Sequence, residues 1–105
     1  MVRKADPRVT DFISRVRKRF KISAAYLFGS RARGDFLKSS DFDVILVSDD
    51  FEGVFFSKRI AQTYPFWRHY PAEIEPLCYT PEEFEKKRRE TGIVKTAVSE
   101  GIRLV

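Results

Sequence analysis

Hydrophobic residues recur at helical spacing near the start of the chain, directly behind a helix N-cap signal. Asp6 is a typical N-cap residue, and Pro7 suits the first position of a helix. The apolar positions behind them fall on one helical face: Val9, Phe12, Ile13, Val16 and Phe20. The pattern predicts an amphipathic helix over about residues 7–20.

Two short apolar runs follow, and a polar loop separates them. Residues 24–28 form a continuous apolar run that Gly29 ends, which is typical of a buried strand entering a turn. Residues 41–47 form a second such run. The intervening residues 29–40 are polar and basic, so they are predicted to form a loop with room for one helical turn.

The middle of the chain predicts a helix and then a strand. Residues 54–64 are compatible with a helix that must stop near Pro65. Residues 72–79 alternate between acidic and apolar positions, and Pro76 favours an edge strand or a bulge there. Four aromatic residues around the helix stop are interpreted as core and lid packing rather than as a base-stacking platform. They are Tyr64, Phe66, Trp67 and Tyr70.

The last quarter of the chain opens on a capping box. Thr80 and Glu83 have the spacing of that motif, with a proline at the first helical position, so a helix is predicted over about residues 81–91. Gly92 interrupts it, a short helix is expected over 93–99, and residues 101–105 resemble a final strand. The predicted fold class is α/β (α+β), with a small mixed β-sheet of about four strands and helices packed on it.

Length and composition narrow the class of protein. A chain of 105 residues with 43% hydrophobic and 33% charged residues fits a single domain over residues 1–105. Its apolar runs are far shorter than the roughly 18–20 residues of a membrane helix, and its start lacks the pattern of a secretory signal. A cytoplasmic location is therefore expected. The single cysteine, Cys78, excludes an internal disulfide, and with one histidine it excludes an all-Cys/His zinc site.

Positive charge is concentrated in the first third of the chain. Residues 1–38 contain 11 Lys and Arg against three Asp and Glu, whereas residues 39–105 contain nine against 12. Such a surface suits a polyanionic ligand: nucleic acid, nucleotide phosphates or an acidic partner. Nucleic-acid binding through the basic face of the first helix is possible but not favoured, since a solvated helix face explains those charges equally well.

Candidate chemistry begins with two carboxylates at the second strand. Asp41 and Asp43 are two residues apart, so their side chains leave the same face of that strand. Crowded carboxylates repel each other, and a divalent metal between them would relieve that repulsion. Magnesium fits best because all the ligands are oxygen. A pair of solvated acids at a strand start is the alternative interpretation of an isolated Asp-x-Asp.

The aspartate pair has chemically suitable neighbours. Gly29 allows close backbone approach to a ligand, and the Ser30 hydroxyl can hold phosphate oxygens beside the positive charges of Arg31 and Arg33. A third acid is available on the next strand, where Glu73 and Glu75 share one face. Three carboxylates from adjacent strands could hold two magnesium ions about 3.5–4 Å apart, an arrangement that promotes phosphoryl displacement.

These residues carry a family resemblance. The segment from Gly29-Ser30 to Gly34, followed by Asp41, Asp43 and an apolar run, resembles the signature of the DNA polymerase β-type nucleotidyltransferase superfamily. More narrowly, it resembles the minimal nucleotidyltransferases, or MNT proteins. The similarity extends to the capping-box helix and to the final strand, so it covers most of the chain. It implies a nucleotidyltransferase fold like the palm of polymerase β.

The resemblance also implies roles for individual residues. Gly29 and Ser30 would contact the triphosphate together with Arg33 of the basic loop, and Asp41 and Asp43 would bind Mg²⁺. In the family, the third acid lies a few residues before a Thr-Pro-Glu-Glu-Phe-like segment, which favours Glu75 over Glu73. That acid is commonly Asp, so Glu75 departs from the pattern. The next acid in the loop, Asp35, is expected to organise the loop rather than to bind metal.

The implied activity is transfer of a nucleoside monophosphate, AMP from ATP above all, to an acceptor hydroxyl with release of pyrophosphate. The chain has no room for the domains that bind the acceptor in larger relatives, so a partner chain or a second copy is expected to supply that recognition. MNT proteins often accompany a HEPN-type toxin and act as its antitoxin. The alternative is a non-catalytic nucleotide-binding antitoxin or protein-binding module.

Overall fold

Helices and strands follow one another in the order that the sequence predicts. The structure is a computed structural model that describes residues 6–29, 32, 41–68 and 74–105. Two short 3₁₀ turns, Asp49–Phe51 and Tyr64–Phe66, lie before and after the helix Phe56–Thr63. The helices and strands of the described residues are α1 (Pro7–Val16), β1 (Ile22–Phe28), β2 (Phe42–Ser48), α2 (Phe56–Thr63), β3 (Ile74–Tyr79), α3 (Pro81–Lys87), α4 (Ile93–Glu100) and β4 (Ile102–Arg103).

The four strands form one mixed sheet in the order β3-β2-β1-β4. β1 pairs antiparallel with β2 and with β4, whereas β2 and β3 are parallel. This arrangement confirms the predicted fold class. β3 lies at an edge of the sheet, which is where a strand containing Pro76 is tolerated.

The sheet separates two hydrophobic clusters, one on each face. The first face packs against α1, and the buried side chains Phe12, Val44 and Leu46 are among its members. The second face packs against α3 and α4, and its cluster includes Ile45 and Phe84. Alternate β2 residues therefore enter different clusters, as strand geometry requires. The pairing register between β1 and β2 shifts between Ile22 and Ala24. The shift places these two side chains on opposite faces of the sheet, so Ile22 belongs to the first cluster and Ala24 to the second.

Helix ends differ from the predicted boundaries for local reasons. α1 ends at Val16, because the amides of Lys18 and Arg19 bond to carbonyls three residues back, at Arg15 and Val16. Phe20 is nevertheless 4% exposed, so the apolar face of the helix continues through this tighter turn. β4 is shorter than expected and contains only Ile102 and Arg103. Leu104 lies after the strand: its amide donates to the Ala25 carbonyl at 2.7 Å, and its side chain packs against the first hydrophobic cluster.

The predicted caps are confirmed. The Asp6 carboxylate accepts the Arg8 amide at 2.8 Å and begins α1. At α3, the Thr80 hydroxyl accepts the Glu83 amide at 3.2 Å, while the Glu83 carboxylate accepts the Thr80 amide at 2.9 Å. This reciprocal capping box fixes the start of α3 immediately after β3. The turn from strand to helix is therefore closely constrained by local sequence.

Candidate active site

Three carboxylates lie at one end of the parallel strand pair. Asp41 immediately precedes β2, and Asp43 is the second residue of that strand. Asp43 is the register partner of Glu75, the second residue of β3. Register partners on neighbouring parallel strands project from the same face, so Asp43 and Glu75 leave the sheet side by side. The face is the one that α3 and α4 cover further along the strands.

Asp43 has an electrostatic environment that disfavours its charge. Partial burial raises the pKa of Asp43 above its usual value, and the nearby charge of Asp41 raises it further. Within the described part of the chain, neither aspartate has a basic residue at ion-pair distance. The charged pair is therefore held together by the fold against its own repulsion, which is a common feature of carboxylates that bind a cation.

Glu75, the third carboxylate, does not form a compact cluster with Asp41 and Asp43. Across residues 6–29, 32, 41–68 and 74–105, no three acidic, histidine or cysteine side chains gather tightly enough to form a metal cluster. Asp43 and Glu75 are aligned by register, but their side chains do not converge with Asp41 on one point. The other candidate for this role, Glu73, lies outside the described residues.

Gly29 approaches the aspartate pair from β1. Its φ of +74° is a left-handed conformation that favours glycine. A Cβ at this position would lie 2.7 Å from Oδ2 of Asp43, so only a hydrogen fits against the carboxylate. The Ala32 amide donates to the Gly29 carbonyl at 3.1 Å, which turns the chain immediately after the strand. The other predicted loop residues, Ser30, Arg31, Arg33 and Asp35, lie outside the described residues.

A cavity of about 400 Å³ opens beside Gly29. The end of β1 forms one wall, and α4 with its flanking glycines forms the other. Its described lining consists of Phe28, Gly29, Ala32, Gly92, Ile93, Thr96, Glu100 and Gly101. The cavity is mostly apolar, and Thr96 and Glu100 add polar groups. Its volume lies within the roughly 300–1,000 Å³ typical of small-molecule sites.

The α4 wall of this cavity was not predicted as functional from the sequence. Gly101 marks it most clearly, because a Cβ at that position would lie 2.6 Å from the Leu27 carbonyl oxygen. The glycine therefore lets the end of α4 lie directly against β1. Two glycines flanking a short helix, Gly92 and Gly101, were the available sequence signal, but a helix break and a strand start explained them equally well.

The donor set fits a hard divalent cation. Asp41, Asp43 and Glu75 offer only carboxylate oxygens, and Mg²⁺ prefers oxygen ligands. Burial first and the charge of Asp41 second raise the pKa of Asp43, and a bound cation would offset both effects. The aspartate pair could therefore hold magnesium through oxygen ligands alone, with Glu75 aligned beside it by the strand register.

One basic residue of α1 approaches the aspartate pair from the other face of the sheet. The Arg8 guanidinium lies 5.0 Å from the centroid of the Phe42 ring, on the face that packs against α1, whereas Asp43 projects from the opposite face. Arg8 is paired with the N-cap Asp6 at 3.0 Å, and Arg15 is paired with Asp11 at 3.2 Å. Arg15, Lys18 and Arg19 are exposed, as expected of a solvated surface.

Other singled-out residues have structural roles. Phe66 and Trp67 pack against the first hydrophobic cluster, as predicted, and Tyr64 contacts Trp67 edge-on at 4.8 Å between ring centroids. Tyr70 lies outside the described residues. Cys78 is fully buried, and burial raises the pKa of its thiol to about 12, so it is not a nucleophile at neutral pH.

The chain belongs to the nucleotidyltransferase domain family, whose sequence profile matches residues 9–104. The family's activity is nucleotidyl transfer, and its substrate class is a nucleoside triphosphate with, typically, a divalent metal. The resemblance to a minimal nucleotidyltransferase is thereby confirmed. No curated protein matches the chain at a significant level.

Two solved structures are similar to the fold. One is described as "a putative nucleotidyltransferase from Sulfolobus solfataricus"; it has a TM-score of 0.60 and 24% identity over 75% of this chain and 69% of that one. The other is BolA1 from Arabidopsis thaliana, with a TM-score of 0.60 and 20% identity over 74% of this chain and 96% of that one. At these identities both likenesses concern the fold alone.

Among the described residues, none of the helices has the length and apolar character needed to cross a bilayer.

Proposed function

We propose that this protein transfers AMP from ATP to an acceptor hydroxyl and releases pyrophosphate. The observation that carries the proposal is the alignment of Asp41 and Asp43 at the start of β2 with Glu75 on the parallel neighbour, directly beside the Gly29 turn. Family membership supports the reaction class. The choice of ATP rests on the resemblance to minimal nucleotidyltransferases.

In this reaction the acceptor oxygen forms a bond to the α-phosphorus. The bond between the α-phosphorus and the oxygen that bridges to the β-phosphate breaks, and pyrophosphate leaves. Glu75 is the residue we assign to the acceptor side, where its carboxylate would orient the hydroxyl and accept its proton. The backbone at Gly29 and the side chains of Ser30 and Arg33 are assigned to the triphosphate.

Asp41, Asp43 and Glu75 would hold magnesium. When bound, it would neutralise phosphate charge and polarise the reacting phosphoryl group. The contribution of the chain is then to position these three carboxylates and to maintain a high local density of negative charge in the absence of a cation. The pKa of Asp43 is raised by its partial burial and, to a smaller extent, by the nearby charge of Asp41.

A labelling experiment tests the activity. ATP, GTP, CTP and UTP, each carrying a labelled α-phosphate, are supplied in turn with Mg²⁺ and a lysate of the source organism. We expect one discrete labelled protein or RNA band, strongest with ATP and absent with the Asp43→Asn variant. Asp49→Asn, an exposed aspartate at the opposite end of β2, is the matched control and should label normally. Equal labelling by wild type and Asp43→Asn would overturn the proposal.

We further propose that the acceptor is a hydroxyl of a partner protein, namely a HEPN-type toxin that this chain neutralises. Exposed apolar side chains support a protein partner: Phe55 is 77% exposed, Ile93 59% and Phe56 42%. Co-expression of such a toxin with wild type and with an Asp41→Asn/Asp43→Asn double variant tests this. Rescue by wild type alone supports modification of the toxin. Rescue by both supports the alternative, a non-catalytic nucleotide-binding antitoxin.

A further inference from the structure

Helix α2 lies along the outer edge of β3 rather than on a face of the sheet. Among the described residues, neither hydrophobic cluster has a member in α2. The guanidinium of Arg59, on this helix, donates to the Cys78 carbonyl of β3 at 3.1 Å. Because β3 is an edge strand of the described sheet, α2 covers a backbone edge that is not paired with another of its strands.

The alternation of β3 identifies the backbone groups that face this helix. The N–H and C=O of one residue point to the same side of a strand, and those of the next residue point to the other side. Cys78 accepts the Arg59 bond and therefore points to the outer edge, as does Pro76 two residues earlier. A proline lacks the N–H that an inner position would use, which agrees with this assignment. The amides of Leu77 and Tyr79 point towards β2 instead.

The buried residues of α2 are polar, whereas those of the other described helices are apolar. Arg59 is 5% exposed, and Thr63 is fully buried. The Thr63 hydroxyl donates to the Ile60 carbonyl at 2.8 Å, so this bond lies within the helix. Apolar contacts of α2 come from partly exposed side chains, Ile60 and Phe56, and the Phe56 ring lies 5.6 Å from that of Tyr79 between centroids. Within the described part of the chain, Arg59 therefore supplies the buried side-chain bonds from α2 to its neighbours.

Arg59 binds three segments at once. Its guanidinium donates to the Glu83 carboxylate at 2.5 and 3.2 Å, to the Cys78 carbonyl, and to the Val54 carbonyl at 2.8 Å. Glu83 lies in the first turn of α3 and Cys78 in β3, so these bonds fix α2 against both elements. A buried guanidinium that loses its anion keeps an uncompensated charge, so the attachment of α2 depends strongly on the ion pair.

The two ends of α2 are held separately. Phe51 before it is fully buried, and Phe66 after it packs against the first hydrophobic cluster. Gly53 lies between Phe51 and the helix, and a Cβ there would meet open space, so the backbone can change direction at this residue. We propose that α2 is a strap that opens as one unit between these anchors, and that the ion pair between Arg59 and Glu83 is the latch that must break first. Opening exposes the outer edge of β3 while the rest of the sheet stays folded.

Amide hydrogen exchange measured by NMR on the wild-type protein tests the separate opening. We expect the amides of α2 and the outward-pointing amide of Cys78 to exchange through one shared opening that is nearly insensitive to dilute urea. The amides of Leu77 and Tyr79 should exchange at least about tenfold more slowly, after correction for intrinsic rates, and only through unfolding that urea promotes. If all of these amides share one urea-sensitive opening, α2 is not a strap. If Cys78 exchanges with Leu77 rather than with α2, the helix does not cover the β3 edge.

A pair of variants tests the latch. Glu83→Gln keeps the size of the side chain and its capping geometry but removes the anion, so exchange of the α2 and Cys78 amides should accelerate at least about tenfold. Glu82→Gln, an exposed neighbour in the same turn, is the matched control and should leave that exchange within about twofold of wild type. Unchanged exchange of α2 in Glu83→Gln would show that the ion pair is not the latch.

A variant of the core separates local opening from general destabilisation. Val9→Ala leaves a void under α1, in the first hydrophobic cluster, and should accelerate exchange of the Leu77 amide about tenfold. The amides of α2 should not respond, because the Val9 contacts stay intact when the strap opens. Equal acceleration of α2 and Leu77 would show that α2 opens only with the whole fold, and the inference would be wrong. The NMR spectrum of each variant shows directly whether the protein compared is folded.

Discussion

Glu83 and Asp43 lie at opposite ends of the parallel strand pair, and their surroundings are opposite as well. Glu83 follows the end of β3 and receives two hydrogen bonds from the Arg59 guanidinium, at 2.5 and 3.2 Å, in addition to the capping bond from Thr80. The hydrogen bonding to Arg59 lowers the pKa of Glu83. Asp43, at the start of β2, is partly buried beside Asp41, and its pKa is raised.

The difference separates a carboxylate that stabilises the fold, Glu83, from the carboxylate that we propose as a metal ligand, Asp43. Arg59 is 5% exposed, and it also donates to the carbonyls of Val54 at 2.8 Å and Cys78 at 3.1 Å. Its charge and hydrogen bonds are thus satisfied by groups that belong to the fold. At the other end, the described residues place no basic group at ion-pair distance from the aspartate pair, so the cost of burying Asp43 beside Asp41 can be offset by a ligand.

The largest expected effect comes from removing the charge at the functional end. Asp43→Asn keeps the size of the side chain but loses a carboxylate ligand, so we expect nucleotidyl transfer to fall by about 10³-fold or more. The rate of labelled AMP transfer measures this. Asp49→Asn should retain wild-type activity. A loss of less than about tenfold would show that Asp43 is not a catalytic ligand.

Removing the carboxylate at the structural end should act on stability instead. Glu83→Ala leaves the buried Arg59 without its anion and breaks the capping box, so we expect a loss of about 3–4 kcal/mol in the free energy of unfolding. Urea denaturation measures it. Glu82→Ala, an exposed neighbour in the same helical turn, should cost less than about 1 kcal/mol. Similar losses in both variants would mean that the Arg59 pair contributes little.

Gly29→Ala tests how tightly the backbone packs against Asp43. The positive φ alone should cost about 1–2 kcal/mol, and the contact with Oδ2 should add about 1 kcal/mol. Gly53→Ala is the matched control, since Gly53 has a φ of +76° but open space where its Cβ would lie. In an Asp43→Ala background the two substitutions should become equally costly. If Gly29→Ala still costs more stability than Gly53→Ala in that background, the Asp43 carboxylate is not the cause of the extra cost.

The smallest expected effect is the pH dependence of stability. The raised pKa of Asp43 in the folded state means that its contribution to stability is present below the unfolded value of about 3.9 and is lost as pH rises through the folded value. Asp43→Asn should therefore melt on the order of 1–3 °C above wild type at pH 7–8 without Mg²⁺, and the gap should close towards pH 4. Glu83→Gln should show the opposite trend, with its deficit shrinking as pH falls. A melting temperature of Asp43→Asn below that of wild type at pH 7 would contradict the assigned repulsion.

The elements of the fold were predictable because each has a local cause. The period of apolar residues predicted α1, and the Thr80 capping box predicted the start of α3 to the residue. Helix ends were less predictable, since they depend on individual hydrogen bonds such as those that tighten the turn after Val16. The short β4 depends on how the last residues pack on α1 and β1, which no local pattern encodes.

The site was predictable only in part. Strand alternation placed Asp41 and Asp43 together, and the predicted role of Glu75 agrees with its register beside Asp43. The ion pair between Arg59 and Glu83 was not predicted, because it joins residues 24 positions apart that no local sequence pattern connects. The cavity was missed for a similar reason: α4 and the end of β1 meet only through the tertiary fold.

The close seating of Gly101 against Leu27 has a consequence for how this protein could diversify. Val94 and Ala97 pack α4 into the second hydrophobic cluster, and Gly101 lets the helix end lie against β1, so neither Ile93 nor Thr96 is needed to hold the helix in place. Natural variation at these two positions can then accumulate at little cost in folding. Substitutions on this exposed face of α4 and substitutions at the carboxylates on β2 and β3 can therefore be selected separately.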